Sequence, residues 1–391
     1  MLAAGVFGLA VLVIMIGLLR AGRVRLLTGL LLVAAGALAA LLLLEGGARL
    51  WLTYLADERA RILYLYDAAT IADKTTLLTG LPYLNYGPNP AWEEVNARGV
   101  RGPLVALPKP AGVYRIVALG GSTTFGHALS AAEAWPAQLE RSLRDDYGYA
   151  QVEVVNLGSP GYYSLDSVVN LATRGLAHDP DLVLVYHGVN DAIIRMYTDT
   201  ACYQGDTPLF GMGLDRGIWQ YVTEPLPPSA LYRLAAYALG RLEDPASLNH
   251  RLRHTGFCPP EPKGISPVDL LAQHPPVYFE RNMRSLIGLA RAAGAEVVLS
   301  TFAWDTAGAQ AALAANPDLH HNRALLQAID EQNALLRRIA AETGAGLADF
   351  GAPGVTRPGD FQGDQVHQTA AGAQHQGAFY AAYLHDQGLI K

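Results

Sequence analysis

The chain has little that would support several common architectures. Cysteine occurs only twice in 391 residues, at Cys202 and Cys258, so neither a disulfide-dense scaffold nor a multi-cysteine metal site can be built from it. Charge is sparse: 16% of residues are Asp, Glu, Lys or Arg, and the net charge is −6. With no basic surface to neutralise phosphates, nucleic acid is not expected as a partner. No internal repeat is visible, which argues against a solenoid or propeller. No histidine cluster has ligand spacing either; His320 and His321 have only Asp318 close by, so no metal is expected there.

What is abundant is apolar residues, 51% of the chain, and the excess lies at the N-terminus. Leu2–Leu19 and Leu26–Leu44 carry no charge. At about 1.5 Å per residue each covers roughly 27–29 Å, the thickness of a hydrocarbon core. Between them stands Arg20-Ala-Gly-Arg23-Val-Arg25. The positive-inside rule predicts that this loop is cytoplasmic and that everything beyond about Glu45 is extracytoplasmic, with Trp51 and Tyr54 in the interfacial belt. The first run lacks a basic leader, so a retained helical hairpin is expected rather than a cleaved signal peptide. On that side of the membrane Cys202 and Cys258 can form a disulfide, and two free thiols fit the sequence equally well.

Three regions follow: two membrane helices over 1–45, a juxtamembrane helix and irregular connector over 46–110, and a larger domain over 111–391. Within the connector, Leu81-Pro-Tyr-Leu-Asn-Tyr-Gly-Pro-Asn-Pro90 holds too many helix breakers to predict a regular element. From Tyr114 onward short apolar runs alternate with helical patterns. Strands are predicted at Arg115–Leu119, Val152–Leu157, Leu182–Tyr186, Glu296–Thr301 and Gly346–Phe350. Helices are predicted at Ala132–Leu143, Ser164–Leu176, Tyr278–Ala293, Asn322–Thr343 and Thr369–Leu384. Continuous apolar strands separated by helices imply a parallel sheet covered on both faces, a three-layer α/β/α fold, with ligands bound at the carboxyl ends of the strands. Residues 197–276 interrupt this rhythm as an insertion, with a short helical piece near Ala230–Leu242 and Trp219 and Tyr221 as candidate groove or core residues.

Three strands run into distinctive loops. Val117-Ala-Leu-Gly-Gly-Ser122-Thr-Thr-Phe-Gly126 places a serine on a tight strand-to-helix turn. Val152-Glu-Val-Val-Asn-Leu-Gly158-Ser-Pro-Gly161 ends in glycine, and Leu182-Val-Leu-Val-Tyr-His-Gly188-Val-Asn190-Asp191 ends in an amide. A fourth segment, Asp364-Gln-Val-His367, precedes the last helix. Serine needs a base to become a nucleophile, a histidine can supply it at neutral pH, and an aspartate can orient the imidazole. Asp360 also precedes His367, but the three-residue spacing favours Asp364. Asp191 and His187 read as structural groups, and Arg195 as a solvated charge.

These four blocks, in this order, resemble the SGNH/GDSL hydrolase family of the membrane-anchored bacterial type. The resemblance covers roughly Tyr114–Leu389 and implies a flavodoxin-like three-layer fold. It implies Ser122, His367 and Asp364 as a triad, with an oxyanion hole made by the Ser122 N–H, the Gly158 N–H and the Asn190 side chain. One departure is clear: where the family has Gly-Asp-Ser, this chain has Gly120-Gly121-Ser122. Asn96-Ala-Arg-Gly-Val-Arg-Gly102 also resembles a leader found in membrane-tethered members. The resemblance implies an extracytoplasmic esterase acting on acyl esters of a glycan, lipid or small alcohol, with no metal or organic cofactor. Two alternatives stay open: an O-acyltransferase acting on envelope glycans, and a non-catalytic glycan- or partner-binding ectodomain.

Overall fold

The structure, a computed structural model, describes residues 20, 22, 24–56, 61, 64–65, 77–81, 83–198, 200, 203, 229–239, 241 and 264–390. The first predicted span, both cysteines, Trp219, Tyr221 and most of the insertion lie outside the described residues. The chain divides into two compact units, 1–73 with 220–245 and 74–219 with 246–391.

The smaller unit is built on α1 (Val24–Tyr54), 31 residues long and apolar enough to cross a membrane. The expected second span and the start of the juxtamembrane helix are therefore one element. No proline falls inside it, and Glu45 pairs with Arg49 one turn on at 2.6 Å, which supports the helix across Gly46 and Gly47. The Glu45 carboxylate also accepts from the Ser229 hydroxyl and from the N–H groups of Ala230 and Leu231. It thereby caps the helix Ala230–Ala238, the short piece predicted within the insertion.

The larger unit begins earlier than expected. Leu78–Leu81 (β1) and Leu84–Pro88 (β2) form an antiparallel hairpin where irregular chain was predicted. Helix breakers exclude a helix but not a short strand, and Tyr83 takes the left-handed φ of 66° that the reversal needs. The five predicted strands all form: β3 (Tyr114–Gly120), β4 (Val152–Asn156), β5 (Leu182–Tyr186), β6 (Glu296–Ser300) and β7 (Gly346–Ala348). They pair in parallel in the order β4-β3-β5-β6-β7. After β4 the chain returns past β3 to begin β5, so the strand order reverses between β3 and β5, where an open α/β sheet binds its ligands.

Alternate residues explain the two covered faces. Ile116, Ala118, Leu182 and Leu184 pack with Trp135 and Leu139 of one helix (Trp135–Asp145) and with Tyr380, Ala381 and Leu384 of the last helix (Ala370–Asp386). Val117, Leu119, Val183 and Val185 face the other way onto Phe279, Met283 and Leu286 of Val277–Ala292 and onto Leu336 and Ile339 of His320–Thr343. Every side chain of β5 is buried, which is why it reads as a continuous apolar run.

Candidate active site

β3 ends at Gly120 and the chain turns at once into a single helical turn, Ser122–Phe125. Gly120 is required there: a β-carbon would lie 2.0 Å from Thr124 Oγ1 and 2.5 Å from the Tyr186 carbonyl. Gly121, in the place of the family's acidic residue, has the Asn190 amide nitrogen and the Tyr162 carbonyl each 3.0 Å from where its β-carbon would stand. The missing carboxylate thus coincides with close approach of the neighbouring loops.

The Ser122 hydroxyl meets His367 Nε2 at 2.8 Å, across 245 residues of sequence. His367 Nδ1 meets Asp364 Oδ2 at 2.6 Å. Asp364 Oδ1 accepts the backbone N–H groups of Val366 and His367, at 3.0 and 2.9 Å, which fixes the loop around the imidazole. Burial alone would raise the Asp364 carboxyl, but hydrogen bonds from the His367 ring and from these two N–H groups hold it below the usual carboxylate range. The result is an ionised acid, an imidazole and a hydroxyl in hydrogen-bonded series. Asp360, the rival, points elsewhere and pairs with His375 Nδ1 at 2.9 Å.

β5 ends in the helix Val189–Tyr197, which carries Asn190 on its first turn. The helix begins after Gly188, where a side chain would strike the Phe302 ring at 2.4 Å. The Asn190 amide donates one N–H to the Tyr162 carbonyl at 2.8 Å and keeps a second for a ligand. Asp191 does structural work, accepting the Ser164 N–H at 3.1 Å and its hydroxyl at 2.5 Å. Burial pushes that carboxyl up to about 7, against the hydrogen bonds from Ser164, and pushes His187 down to about 3.

The glycine loop requires a correction. The Gly158 N–H, expected in the oxyanion hole, donates instead to its own neighbour's side chain, Asn156 Oδ1, at 3.0 Å. Asn156 also donates to the Thr124 carbonyl at 2.9 Å and so ties the end of β4 to the serine turn. Gly158 is needed for packing: a β-carbon there would come within 2.5 Å of the Phe125 nitrogen. Three residues on, Gly161 takes φ 77°, and its N–H makes no hydrogen bond among the described residues; neither does that of Ser122. Gly161 directly precedes Tyr162, whose carbonyl holds Asn190. The β1–β2 hairpin braces this loop. Tyr86 donates to the Pro160 carbonyl at 3.0 Å, and Tyr162 donates to the Tyr86 carbonyl at 2.5 Å.

Arg195 is a second correction, being buried rather than solvated. Its Nε donates to the His274 carbonyl at 2.7 Å, and its Nη2 pairs with Glu331, which compensates the buried charge. Sequence reasoning also missed His127, whose ring centroid lies 5.0 Å from that of His367, and Arg101, buried with its guanidinium 4.5 Å over the Phe125 ring. The only signal was position, in that His127 follows the Gly126 that ends the serine turn, while Arg101 belongs to the 96–102 leader.

Residues 118–256 match the family model described as the GDSL-like Lipase/Acylhydrolase family. The chain carries a GDSL-like acylhydrolase domain. Over that segment the chain is similar to GDSL-like acylhydrolases, and the segment includes Ser122 and Asn190. Asp364 and His367 lie beyond the match, and the fold delivers them to Ser122. Among solved structures the domain is similar to TesA, at 18% identity over 71% of this chain and 99% of that one, TM-score 0.39. It is similar to LAE5, an α/β hydrolase enzyme from the metagenome of Lake Arreo, Spain, at 16% identity over 71% and 96%, TM-score 0.40. A third is a single-residue variant of Axe2, an acetyl xylan esterase from Geobacillus stearothermophilus, at 16% identity over 69% and 94%, TM-score 0.41. No curated protein matches the chain.

Proposed function

We propose that this protein is a membrane-anchored, extracytoplasmic esterase that hydrolyses short acyl esters through Ser122, His367 and Asp364. The observation that carries the reading is the unbroken series of hydrogen bonds from Asp364 through His367 to Ser122, at 2.6 and 2.8 Å. Ser122 Oγ attacks the ester carbonyl while His367 Nε2 takes its proton, and Asp364 stabilises the imidazolium that forms. The N–H of Ser122 and the free amide N–H of Asn190 serve the oxyanion, with Gly161 rather than Gly158 as the third donor. His367 then returns the proton to the leaving alkoxide, and water repeats the sequence on the acyl-serine. Anchoring by α1, with the basic residues Arg20 and Arg25 before or at its start, supports the extracytoplasmic placement of the domain.

The test is labelling with a fluorophosphonate probe together with product analysis on p-nitrophenyl acetate and an acetylated glycan. Labelling of the native chain that vanishes in Ser122→Ala, with release of free acetate, is the expected result. An unlabelled native chain would instead indicate a binding ectodomain, and acetyl transfer to a glycan acceptor outrunning acetate release would indicate a transferase. Accessibility of the domain to protease in spheroplasts tests the side of the membrane.

A further inference from the structure

We propose that His127 is a substrate-contacting, specificity-determining residue that hydrogen-bonds a hydroxyl on the alcohol portion of the ester, so that the preferred substrates are esters of polyhydroxylated alcohols. The inference rests on reading Ser122 and His367 as nucleophile and base.

The turn that presents His127 is firmly built. The N–H groups of Gly126 and His127 both donate to the Ser122 carbonyl at 3.0 Å, so the imidazole is carried by the same turn as the nucleophile. Gly126 adopts φ 84°, and a side chain there would meet Ala134 at 2.5 Å. Ala128 adopts φ 63°, a left-handed conformation that a β-carbon disfavours and that concentrates at functional sites. Buried Arg101 holds the far end of the turn, donating from Nη2 to the Leu129 carbonyl at 2.7 Å. In contrast to this bracing, the His127 side chain is exposed and makes no hydrogen bond among the described residues.

Its place relative to the chemistry sets what it can touch. The rings of His127 and His367 are 5.0 Å apart at 51°, tilted rather than stacked. During acylation the leaving oxygen takes its proton from His367 Nε2 and so lies within hydrogen-bond reach of that atom. Substituents one to three bonds further along the alcohol come within reach of the edge of the neighbouring His127 ring, which lies close to that of His367. The titratable groups that act on His127 are His367 and Asp364. Partial desolvation of the ring and then the nearby His367 hold the His127 imidazole below its ordinary range, with Asp364 pulling the other way, so near neutral pH it carries one donor and one acceptor nitrogen. That pairing complements a hydroxyl, which can both give and take a hydrogen bond, whereas a hydrocarbon acyl chain can do neither.

The experiment uses the full chain and two esters with the same acyl group, p-nitrophenyl acetate and glycerol monoacetate. His127→Ala is expected to lower the ratio of kcat/KM for glycerol monoacetate to that for the aryl ester by about 5- to 10-fold, mostly through KM, as for one lost hydrogen bond. His127→Gln, which keeps a donor and an acceptor, should recover most of that ratio, and His127→Phe should not. A ratio unchanged in all three variants, or an equal fall on both esters, overturns the proposal. Failure of the underlying catalytic reading shows separately, as ester hydrolysis that survives in Ser122→Ala. Thermal melts of each variant distinguish a lost contact from a lost fold.

Discussion

Three histidine–aspartate pairs occur among the described residues of this domain, and one of them, at the rim of the sheet, is the pair we propose for catalysis. His367 and Asp364 meet at 2.6 Å on the rim, with half of the Asp364 side chain exposed and the free ring nitrogen on Ser122. His375 and Asp360 meet at 2.9 Å, but the pair is largely buried, beside the Phe350 ring, and Asp360 also accepts the Arg357 N–H. His187 and Asp191 lie 3.8 Å apart, both buried, with the imidazole pushed down to about 3 and the carboxyl up to about 7. The same two side chains therefore give a hydrogen-bonded series that ends on the Ser122 hydroxyl, a structural clasp and a buried core contact. His187 Nε2 also meets a serine hydroxyl, that of Ser167 at 2.7 Å, so what separates that series from the one at the rim is water access and the longer His–Asp distance. A dyad in a sequence carries no function until its surroundings are known.

Each step of that comparison can be broken. The largest effect is expected at the rim: Ser122→Ala and His367→Ala should each lower kcat on p-nitrophenyl acetate by about 10⁴-fold or more while melting within roughly 2 °C of the native protein. An active His367→Ala variant would remove the catalytic pair from the comparison altogether. Asp364→Asn should cost about 10³- to 10⁴-fold, because the amide no longer stabilises the imidazolium or enforces its tautomer. In Asp360→Asn the loss should appear in stability instead, about 1–3 kcal/mol by denaturant unfolding, with turnover largely kept. If the two aspartate variants exchanged these phenotypes, the assignment of Asp364 over Asp360 would be wrong. Asn190→Ala should lower kcat by about 10²- to 10³-fold, read most cleanly as kcat rather than KM.

The buried pair makes the smallest and most specific prediction. The Asp191 carboxyl is raised from 3.8 in the unfolded chain to about 7 in the native one, so the native state binds the proton more tightly. Its contribution to stability is complete below about pH 4 and fades as pH rises through 7. Between pH 5 and pH 8 the native protein should thus lose more stability than Asp191→Asn, by about 2–3 kcal/mol. Parallel melting curves for the two proteins would show that the carboxyl is not protonated in the fold.

Much of this molecule is legible from residue order. The five apolar runs became the five parallel strands within a residue or two at each end, because a strand covered on both faces must be apolar throughout. Ser122, Asn190, Asp364 and His367 were legible because each follows a strand or precedes a helix, where a parallel sheet gathers its loops. The failures share a cause. Gly158 looked like a free donor because the sequence does not show that Asn156, two residues earlier, turns its side chain back onto that N–H. Arg195 looked solvated because Glu331, 136 residues away, is not its neighbour until helices pack. The 78–88 segment looked irregular because a short hairpin is held by Tyr86 and Tyr162 from distant parts of the chain.

The sequence by itself determined the order of strands and helices, the long apolar N-terminal helix and the inventory of reactive side chains, since these depend on local pattern and residue type. Only the tertiary structure decided which aspartate serves which histidine, which glycine N–H is free, and that His127 stands beside His367. Those choices depend on strand order β4-β3-β5-β6-β7, which brings loops as far apart as the 245 residues between Ser122 and His367 to one end of the sheet. A hydrogen bond forms between groups that are close in space and properly oriented, and sequence order constrains that only through the fold.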